Sequence, residues 1–145
     1  MSDNQFLETF REEALELLGN LESKLLELEE RPDDAELLSA VFRVMHTIKG
    51  SAAMFGLDRI SSFSHEVESI LSALRDGKIA FSKELIGNTL RSRDMILEML
   101  EEEGAGIGSL SDEMTSFLAD FKTAVGFSQA AAVGVKGGGD PAGAS

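Results

Sequence analysis

Two histidines, His46 and His65, are the side chains of this sequence best suited to chemistry near neutral pH. An imidazole can act as a nucleophile, as a general acid or base, or as a metal ligand. The chain has no cysteine, which excludes a cysteine nucleophile, a disulfide and a thiolate metal site. A lone histidine in a helical protein is more often an ordinary surface or core residue than a catalyst. The surroundings of each histidine must therefore decide its role.

The residues around His46 favour a reactive role for that side chain. Helical spacing puts Met45 on a buried face, so that His46 points outward at the edge of that face. Gly50 and Ala53 follow one and two turns along the same side, and Lys49 adds an ammonium group. A helix face without bulk around an exposed imidazole admits the active site of another protein. Close helix packing at Gly50 and a solvated Lys49 are the alternatives, and the spacing alone does not choose between them.

Apolar spacing predicts five helices to position these residues. Within each segment the apolar residues recur mostly every three or four positions, which keeps them on one helical face. The residues expected to face the core are Phe6, Phe10, Ala14, Leu17, Leu21, Leu25 and Leu28 in the first helix; Leu38, Val41, Met45, Ile48 and Ala52 in the second; Ile60, Phe63, Val67, Ile70 and Leu74 in the third; Ile86, Leu90, Leu97 and Leu100 in the fourth; and Met114, Phe117, Leu118, Phe121 and Val125 in the fifth.

Capping signals mark where these helices begin and end. Asp33 and Glu36 have the spacing of a capping box that opens the second helix, and Gly56 is well placed to end it. The third helix is expected to begin near Asp58, the fourth after Ser82, and the fifth after Ser109 or Ser111.

Composition supports an all-α fold. The chain has two prolines, no tryptophan and no tyrosine, and it is rich in the residues that favour helices over strands. Antiparallel amphipathic helices joined by short turns predict an up-down four-helix bundle with a fifth C-terminal helix. Residues 1–125 are expected to form this domain. Residues 126–145 are rich in Gly and Ala and predict a flexible linker or tail that adds nothing to the core.

The charge balance narrows the range of partners. With 13 basic and 26 acidic residues, the formal charge of −13 opposes binding to nucleic acid and to anionic membranes. No apolar run approaches the roughly 20 residues that span a bilayer, and the N-terminus lacks the features of a signal peptide. These observations predict a cytoplasmic protein.

The segment from His46 to Leu57, HTIKGSAAMFGL, resembles the phosphoacceptor motif of histidine phosphotransfer (HPt) domains of two-component signalling. His65 and Glu68 follow His46 by 19 and 22 residues, a spacing similar to that of the N-terminal phosphotransfer domain of chemotaxis histidine kinases. The resemblance spans about residues 1–103. It implies an HPt-like bundle in which His46 is the phosphoacceptor, Glu68 accepts a hydrogen bond from its Nδ1, and Lys49 and His65 flank it.

The same resemblance implies the partners. A separate kinase catalytic domain, in the same or another chain, is expected to supply the phosphoryl group, because this sequence contains no glycine-rich nucleotide loop. A response-regulator receiver domain of the chemotaxis type is expected to take it onto an aspartate. ATP and magnesium would belong to those partners, and no cofactor or metal is expected in this chain. Phe42, Gly50 and Ala53 are the expected docking residues.

Two other functions remain compatible with the pattern. A metal-binding helical bundle would use the two histidines with carboxylates, but the residues three before His46 and His65 are Arg43 and Ser62, so paired Glu-x-x-His motifs are absent. A helical interaction module with no phosphorelay role would need only the bundle and its acidic surface. Phosphate acceptance by His46 discriminates between these functions.

Overall fold

A computed structural model describes residues 3–102 and 107–127 of the 145-residue chain. Within these ranges the chain forms helices and no strand, which confirms the all-α prediction. The five helices are α1 (Asp3–Glu30), α2 (Ala35–Met54), α3 (Asp58–Arg75), α4 (Lys83–Glu101) and α5 (Asp112–Val125). In these described segments, no helix is sufficiently long and apolar to cross a membrane.

The first four helices form an antiparallel up-down bundle. Helix α2 packs against α1 and α3, and α4 packs against the same two helices from the opposite side. Phe10 near the start of α1 contacts Phe55 at the end of α2, and Arg11 pairs with Glu101 at the end of α4. These contacts fix the antiparallel order of α1, α2 and α4. Helix α5 lies against α3 and α4, as expected for a fifth helix outside the bundle.

The buried face of α1 differs from the expected one at two positions. Leu18 is fully buried, whereas Leu17 is only partly buried and packs at the edge of the core. Phe6 keeps 44% of its surface exposed, although its ring lies 6.0 Å from that of Phe55. Spacings of three and four alternate in any helical stripe, so both Leu17 and Leu18 fit the pattern, and the tertiary packing decides which one is buried.

The start of α2 also differs from the prediction by one residue. Asp34, not Asp33, is the N-cap, and its carboxylate accepts hydrogen bonds from the backbone N–H groups of Glu36 and Leu37. Leu37 is buried in place of Leu38, which is only partly buried. The carboxylate of Asp34 already binds the backbone N–H groups two and three residues later. These groups therefore have partners without a capping box between Asp33 and Glu36.

The buried face of α3 contains the residues predicted for it. Helix α4 is rotated about its axis, so that its buried face differs from the predicted one. All five apolar residues expected to face the core in α3 are buried. In α4, Ile86 is buried as expected, but Leu90, Leu97 and Leu100 are only partly buried. The buried set of α4 is Leu85, Ile86, Thr89, Ser92, Met95, Ile96 and Met99.

Two polar residues explain why the α4 face was misassigned. The hydroxyls of Thr89 and Ser92 are buried, and each donates to a backbone carbonyl four residues earlier, those of Leu85 and Asn88. A buried hydroxyl with such a partner costs little, so polar residues can occupy the core face. An apolar-only pattern does not detect them.

Helix α5 begins after the N-cap Ser111, one of the two predicted residues. Its core face includes Leu118 and Phe121, which are buried, and Gly126 ends it in the left-handed conformation with φ 75°. Phe127 is also buried, with 6% of its surface exposed. The packed part of the chain thus continues two residues past Val125, and the rest of the expected tail, 128–145, lies outside the described residues.

Candidate functional site

His46 lies on the outer surface of α2, next to a fully buried neighbour. The side chain of His46 is 58% exposed, whereas Met45 is completely buried. The helical rotation of about 100° per residue produces this change from core to surface. The sequence prediction of an exposed imidazole at the edge of the bundle is confirmed.

Glu68 on α3 is the hydrogen-bond partner of His46. Its side chain is 9% exposed, and Oε2 is in contact with Nδ1 of His46. An ionised carboxylate can only accept, so the Nδ1–H group donates and Nε2 carries the free lone pair. The imidazole is therefore held in one tautomer, with Nε2 as the nucleophilic atom.

Two further groups share the carboxylate of Glu68. The Nζ atom of Lys49 lies 2.9 Å from Oε1 and 3.3 Å from Oε2. The Nδ1 atom of His65, one turn earlier on α3, lies 3.4 Å from Oε1. The structure therefore brings together all four residues singled out in the sequence, and we refer to His46, Lys49, His65 and Glu68 as the carboxylate cluster.

The protonation of Glu68 reflects two opposing effects. Burial by itself raises the pKa of a carboxyl group, because the charged form loses its hydration. Hydrogen bonds from His46 and Lys49, together with their charges, act in the opposite direction and hold the pKa of Glu68 below its ordinary value. Glu68 is therefore ionised at neutral pH, as an acceptor for Nδ1–H must be.

The turn between α2 and α3 sets the alignment of the cluster. Gly56 adopts φ 75°, a left-handed conformation that favours glycine, and the N–H of Leu57 returns to the carbonyl of Ala52. Further along, the hydroxyl of Ser61 donates to the backbone carbonyl of Lys49 at 3.2 Å. These contacts fix α3 beside α2, so that Glu68 lies next to His46.

The small residues beyond His46 leave an open surface. Gly50 and Ala53 are exposed, and a Cβ atom placed on Gly50 would meet nothing within 4 Å. Gly50 is therefore not needed for close helix packing, which was the alternative interpretation of this residue. Phe42, the third predicted docking residue, is partly buried one turn before His46.

Arg75 is a neighbour of the site that the sequence analysis missed. Its guanidinium carbon lies 4.1 Å from the centroid of the Phe42 ring, and that ring is nearly parallel to the imidazole of His46. Arg75 is the last residue of α3. Its position seven residues after Glu68, two turns along the same face, is the signal that could have identified it.

For the metal-binding alternative, the described residues contain no group of three or more His, Asp or Glu side chains arranged to hold a metal ion. The two histidines approach the same carboxylate from different helices.

The bundle and the carboxylate cluster define a helical domain built around one exposed histidine that a buried carboxylate orients. The chain belongs to the Hpt domain family, whose pattern it matches over residues 5–105. It is similar to the chemotaxis protein CheA of Borreliella burgdorferi, with 37% identity over 100 residues. That match covers 69% of this chain and 12% of the relative, so the chain spans about one eighth of the length of the curated relative.

Solved structures agree with this assignment. The CheA phosphotransferase domain from Thermotoga maritima is 36% identical, with a TM-score of 0.68, and the match covers 70% of this chain and 96% of that domain. The phosphorylated P1 domain of CheA3, solved in complex with CheY6 from R. sphaeroides, has a TM-score of 0.71 at 23% identity, covering 86% of this chain and 98% of that one. The second likeness shows the fold alone.

Proposed function

We propose that this chain is the phosphotransfer domain of a chemotaxis histidine kinase, in which His46 accepts a phosphoryl group and passes it to a response regulator. The observation that carries the proposal is the contact between Nδ1 of the exposed His46 and the ionised, buried Glu68. Because Nδ1 faces Glu68, the free lone pair is on Nε2, the ring nitrogen that points away from Glu68.

In the proposed reaction, Nε2 attacks the γ-phosphorus of ATP held by a kinase catalytic domain. The Nε2–P bond forms, and the bond between the γ-phosphorus and the bridging oxygen breaks, so that ADP leaves. The ring gains positive charge as the bond forms, and the Glu68 carboxylate stabilises that charge through Nδ1–H. Transfer to the aspartate of a receiver domain breaks the same Nε2–P bond and returns the ring to its neutral form.

Lys49 and His65 have supporting roles in this proposal. The ammonium of Lys49 is bound to Glu68 in the unphosphorylated protein, within one turn of His46, and can turn toward phosphoryl oxygens when they arrive. His65 is 60% exposed beside the same carboxylate and has a flanking role.

The surface of α2 suits an anionic reaction partner. Arg43 and Lys49 outnumber Glu36, which makes α2 the one positively charged helix among the five that the structure describes. A phosphoryl donor and the carboxylates of a receiver domain are both negatively charged. The open surface at Gly50 and Ala53, with Phe42 beside it, is the proposed docking face.

The partners follow from the family and from the chemistry. In this proposal, ATP and magnesium are held by the kinase and receiver domains, and the reaction takes place in the cytoplasm, where ATP is available. The names of the similar proteins support a chemotaxis pathway: one relative is a chemotaxis protein, and one structural neighbour was solved with CheY6.

The test is to incubate the protein with ATP and a chemotaxis kinase core and to measure an acid-labile, alkali-stable phosphoryl group. His46→Gln should abolish labelling and leave helical content unchanged, because the side chain is largely exposed and its loss opens no core cavity. His65→Gln, which changes the other exposed histidine, is the matched control and should still be labelled. Full labelling of His46→Gln would overturn the proposal.

A further inference from the structure

Outside the carboxylate cluster, the His46 ring contacts Phe42, and Phe42 in turn contacts Arg75. The Phe42 ring lies with its centroid 5.8 Å from that of the His46 imidazole, and the two planes differ by 19°. The guanidinium carbon of Arg75 lies 4.1 Å from the centroid of the same Phe42 ring. A continuous set of contacts therefore joins the end of α3 to the imidazole on α2.

Arg75 is itself fixed in place. Its Nε atom donates to Oδ1 of Asp76 at 3.1 Å, and Nη2 donates to the hydroxyl of Ser72 at 3.4 Å. The side chain is 34% exposed, so a large part of it is covered by neighbouring groups. A cation over an aromatic face is attracted by the negative potential of that face, and the attraction holds the Phe42 ring in a defined orientation.

The stacked ring supplies a constraint that Glu68 does not. The hydrogen bond to Glu68 restrains the imidazole at one ring atom, Nδ1, and because a hydrogen bond tolerates a range of angles, small rotations about the Cα–Cβ and Cβ–Cγ bonds can still pivot the ring. A nearly parallel ring of Phe42 opposes the pivot. The plane sets where Nε2 points, and phosphoryl transfer requires reacting atoms about 3 to 3.5 Å apart with aligned orbitals.

We infer that Arg75 is a positioning residue for His46 and acts through Phe42 to fix the plane in which Nε2 meets the incoming phosphorus. This inference rests on the proposed function of His46. It gives Phe42 a role within the domain, in addition to the docking role expected from the sequence. Arg75 touches neither the imidazole nor the phosphoryl group in this assignment.

The first experiment compares two phosphoryl donors on the full chain. Phosphoramidate needs no protein docking: its nitrogen is already protonated at neutral pH, so the P–N bond breaks with loss of neutral ammonia as the Nε2–P bond forms. Arg75→Gln should slow labelling of His46 by about 2- to 5-fold with phosphoramidate and with the ATP-loaded kinase core alike, the factor that corresponds to an exposed cation–π contact. A loss with the kinase core only would overturn the inference and make Arg75 a docking residue.

Two variants control for charge. Arg75→Lys keeps a cation near the Phe42 ring and should recover most of the rate. Arg91→Gln removes the same charge from an exposed position on α4 and should leave the rate unchanged. A failure of Arg75→Lys to recover any rate, or an equal effect of Arg91→Gln, would contradict an action through the ring.

A double-mutant cycle tests the route of the effect. Phe42→Leu should slow labelling with phosphoramidate, and Arg75→Gln should add nothing in that background, because the ring through which it acts is gone. Additive effects would overturn the inference. Melting temperatures of the variants identify any loss of rate that comes from unfolding.

The ring ¹H spectrum of His46 separates this inference from the proposed function. The nearly parallel Phe42 ring shifts the Hδ2 and Hε1 signals of His46 by its ring current, so in Arg75→Gln these signals should move toward those of Phe42→Leu, while the Nδ1–H tautomer set by Glu68 is retained. Unchanged signals would overturn the positioning role even if the rate fell. If the wild type took phosphate from neither donor, the proposed function would fail, while the ring signals would still test the positioning of His46.

Discussion

The ammonium of Lys49 lies 2.9 Å from Oε1 of Glu68, on the same carboxylate that orients the imidazole of His46. The cation expected to meet phosphoryl oxygens is thus bound to the carboxylate before any phosphate arrives. Lys49 offsets the cost of burying a negative charge at Glu68, and this keeps the acceptor of Nδ1–H ionised.

Lys49→Met should therefore raise the pKa of Glu68, because one of the two hydrogen bonds that lower it is lost. His65→Ala is the matched control: His65 also approaches Oε1, but at 3.4 Å, and it is not among the groups that lower the pKa of Glu68. A ¹³C titration of the side-chain carboxyl measures both variants. An equal rise in the two would show that Lys49 has no special part in holding the charge.

Glu68→Gln should slow phosphorylation of His46 by one to a few powers of ten, the range that general acid–base groups contribute. The amide can still meet Nδ1 but carries no charge to stabilise the developing imidazolium. His65→Ala should reduce the rate much less. Single-turnover labelling with the kinase core gives both rates, and an unchanged rate for Glu68→Gln would reduce Glu68 to a structural residue.

Stability should depend on pH through the same carboxylate. The pKa of Glu68 is lower in the folded state than its ordinary value of 4.5, so its ionisation stabilises the fold above that pH, and this contribution is lost as the pH falls through the folded value. The difference in free energy of unfolding between wild type and Glu68→Gln should narrow below about pH 4.5. Urea unfolding between pH 3 and 7 measures it. The comparison variant is Glu29→Gln, which removes a carboxylate from an exposed position on α1.

Gly50→Gln should separate docking from folding. Because nothing lies within 4 Å of a Cβ at this position, a good helix former should leave the domain as stable as before or raise its stability by up to about 1 kcal/mol. Transfer from the kinase and to the receiver should nevertheless fall strongly, since the added side chain obstructs the partner next to His46.

Gly87 provides a matched control for this experiment. It is an exposed glycine within α4, also with nothing within 4 Å of a Cβ, so Gly87→Gln should have the same effect on the melting temperature. Its transfer rates should equal those of the wild type. Undiminished transfer in Gly50→Gln would mean that partners approach His46 from another side.

The C-terminal boundary can be tested by two truncations. Removing residues 128–145 should leave the melting temperature unchanged, because a Gly- and Ala-rich segment adds no core. Removing residues 126–145 also takes away the buried Phe127 and should lower the melting temperature by at least about 5 °C. Equal melting temperatures for the two products would show that Phe127 contributes nothing.

The sequence predicted where the helices lie along the chain better than it predicted which face of each helix is buried. Apolar spacing identified the five helices of the described residues, and all five core residues that it predicted in α3 are buried. It could not choose between Leu17 and Leu18, since both fit one stripe, or between Asp33 and Asp34 as the cap. In α4 it identified only Ile86 of the buried face, because that face includes hydroxyl groups that bond to their own backbone.

The site was predictable only in part, and for a different reason. The surroundings of His46 are local to one helix, so its exposure could be read from helical spacing. The pairing with Glu68 joins two helices, and it came from resemblance and not from periodicity. The contact of Arg75 with Phe42 also joins two helices and depends on where a flexible side chain settles, which no spacing rule specifies.

All the residues that act on His46 belong to α2 and α3, which Gly56 and its neighbours join in a tight turn. The chemistry is therefore carried by one helical hairpin, while α1, α4 and α5 close the core around it. Substitutions on the outer faces of those three helices are free to change partner preference or solubility without disturbing the reacting atoms. For the same reason, a graft of this activity onto another bundle must transfer the hairpin as a unit, since His46 alone would lose the carboxylate that orients it.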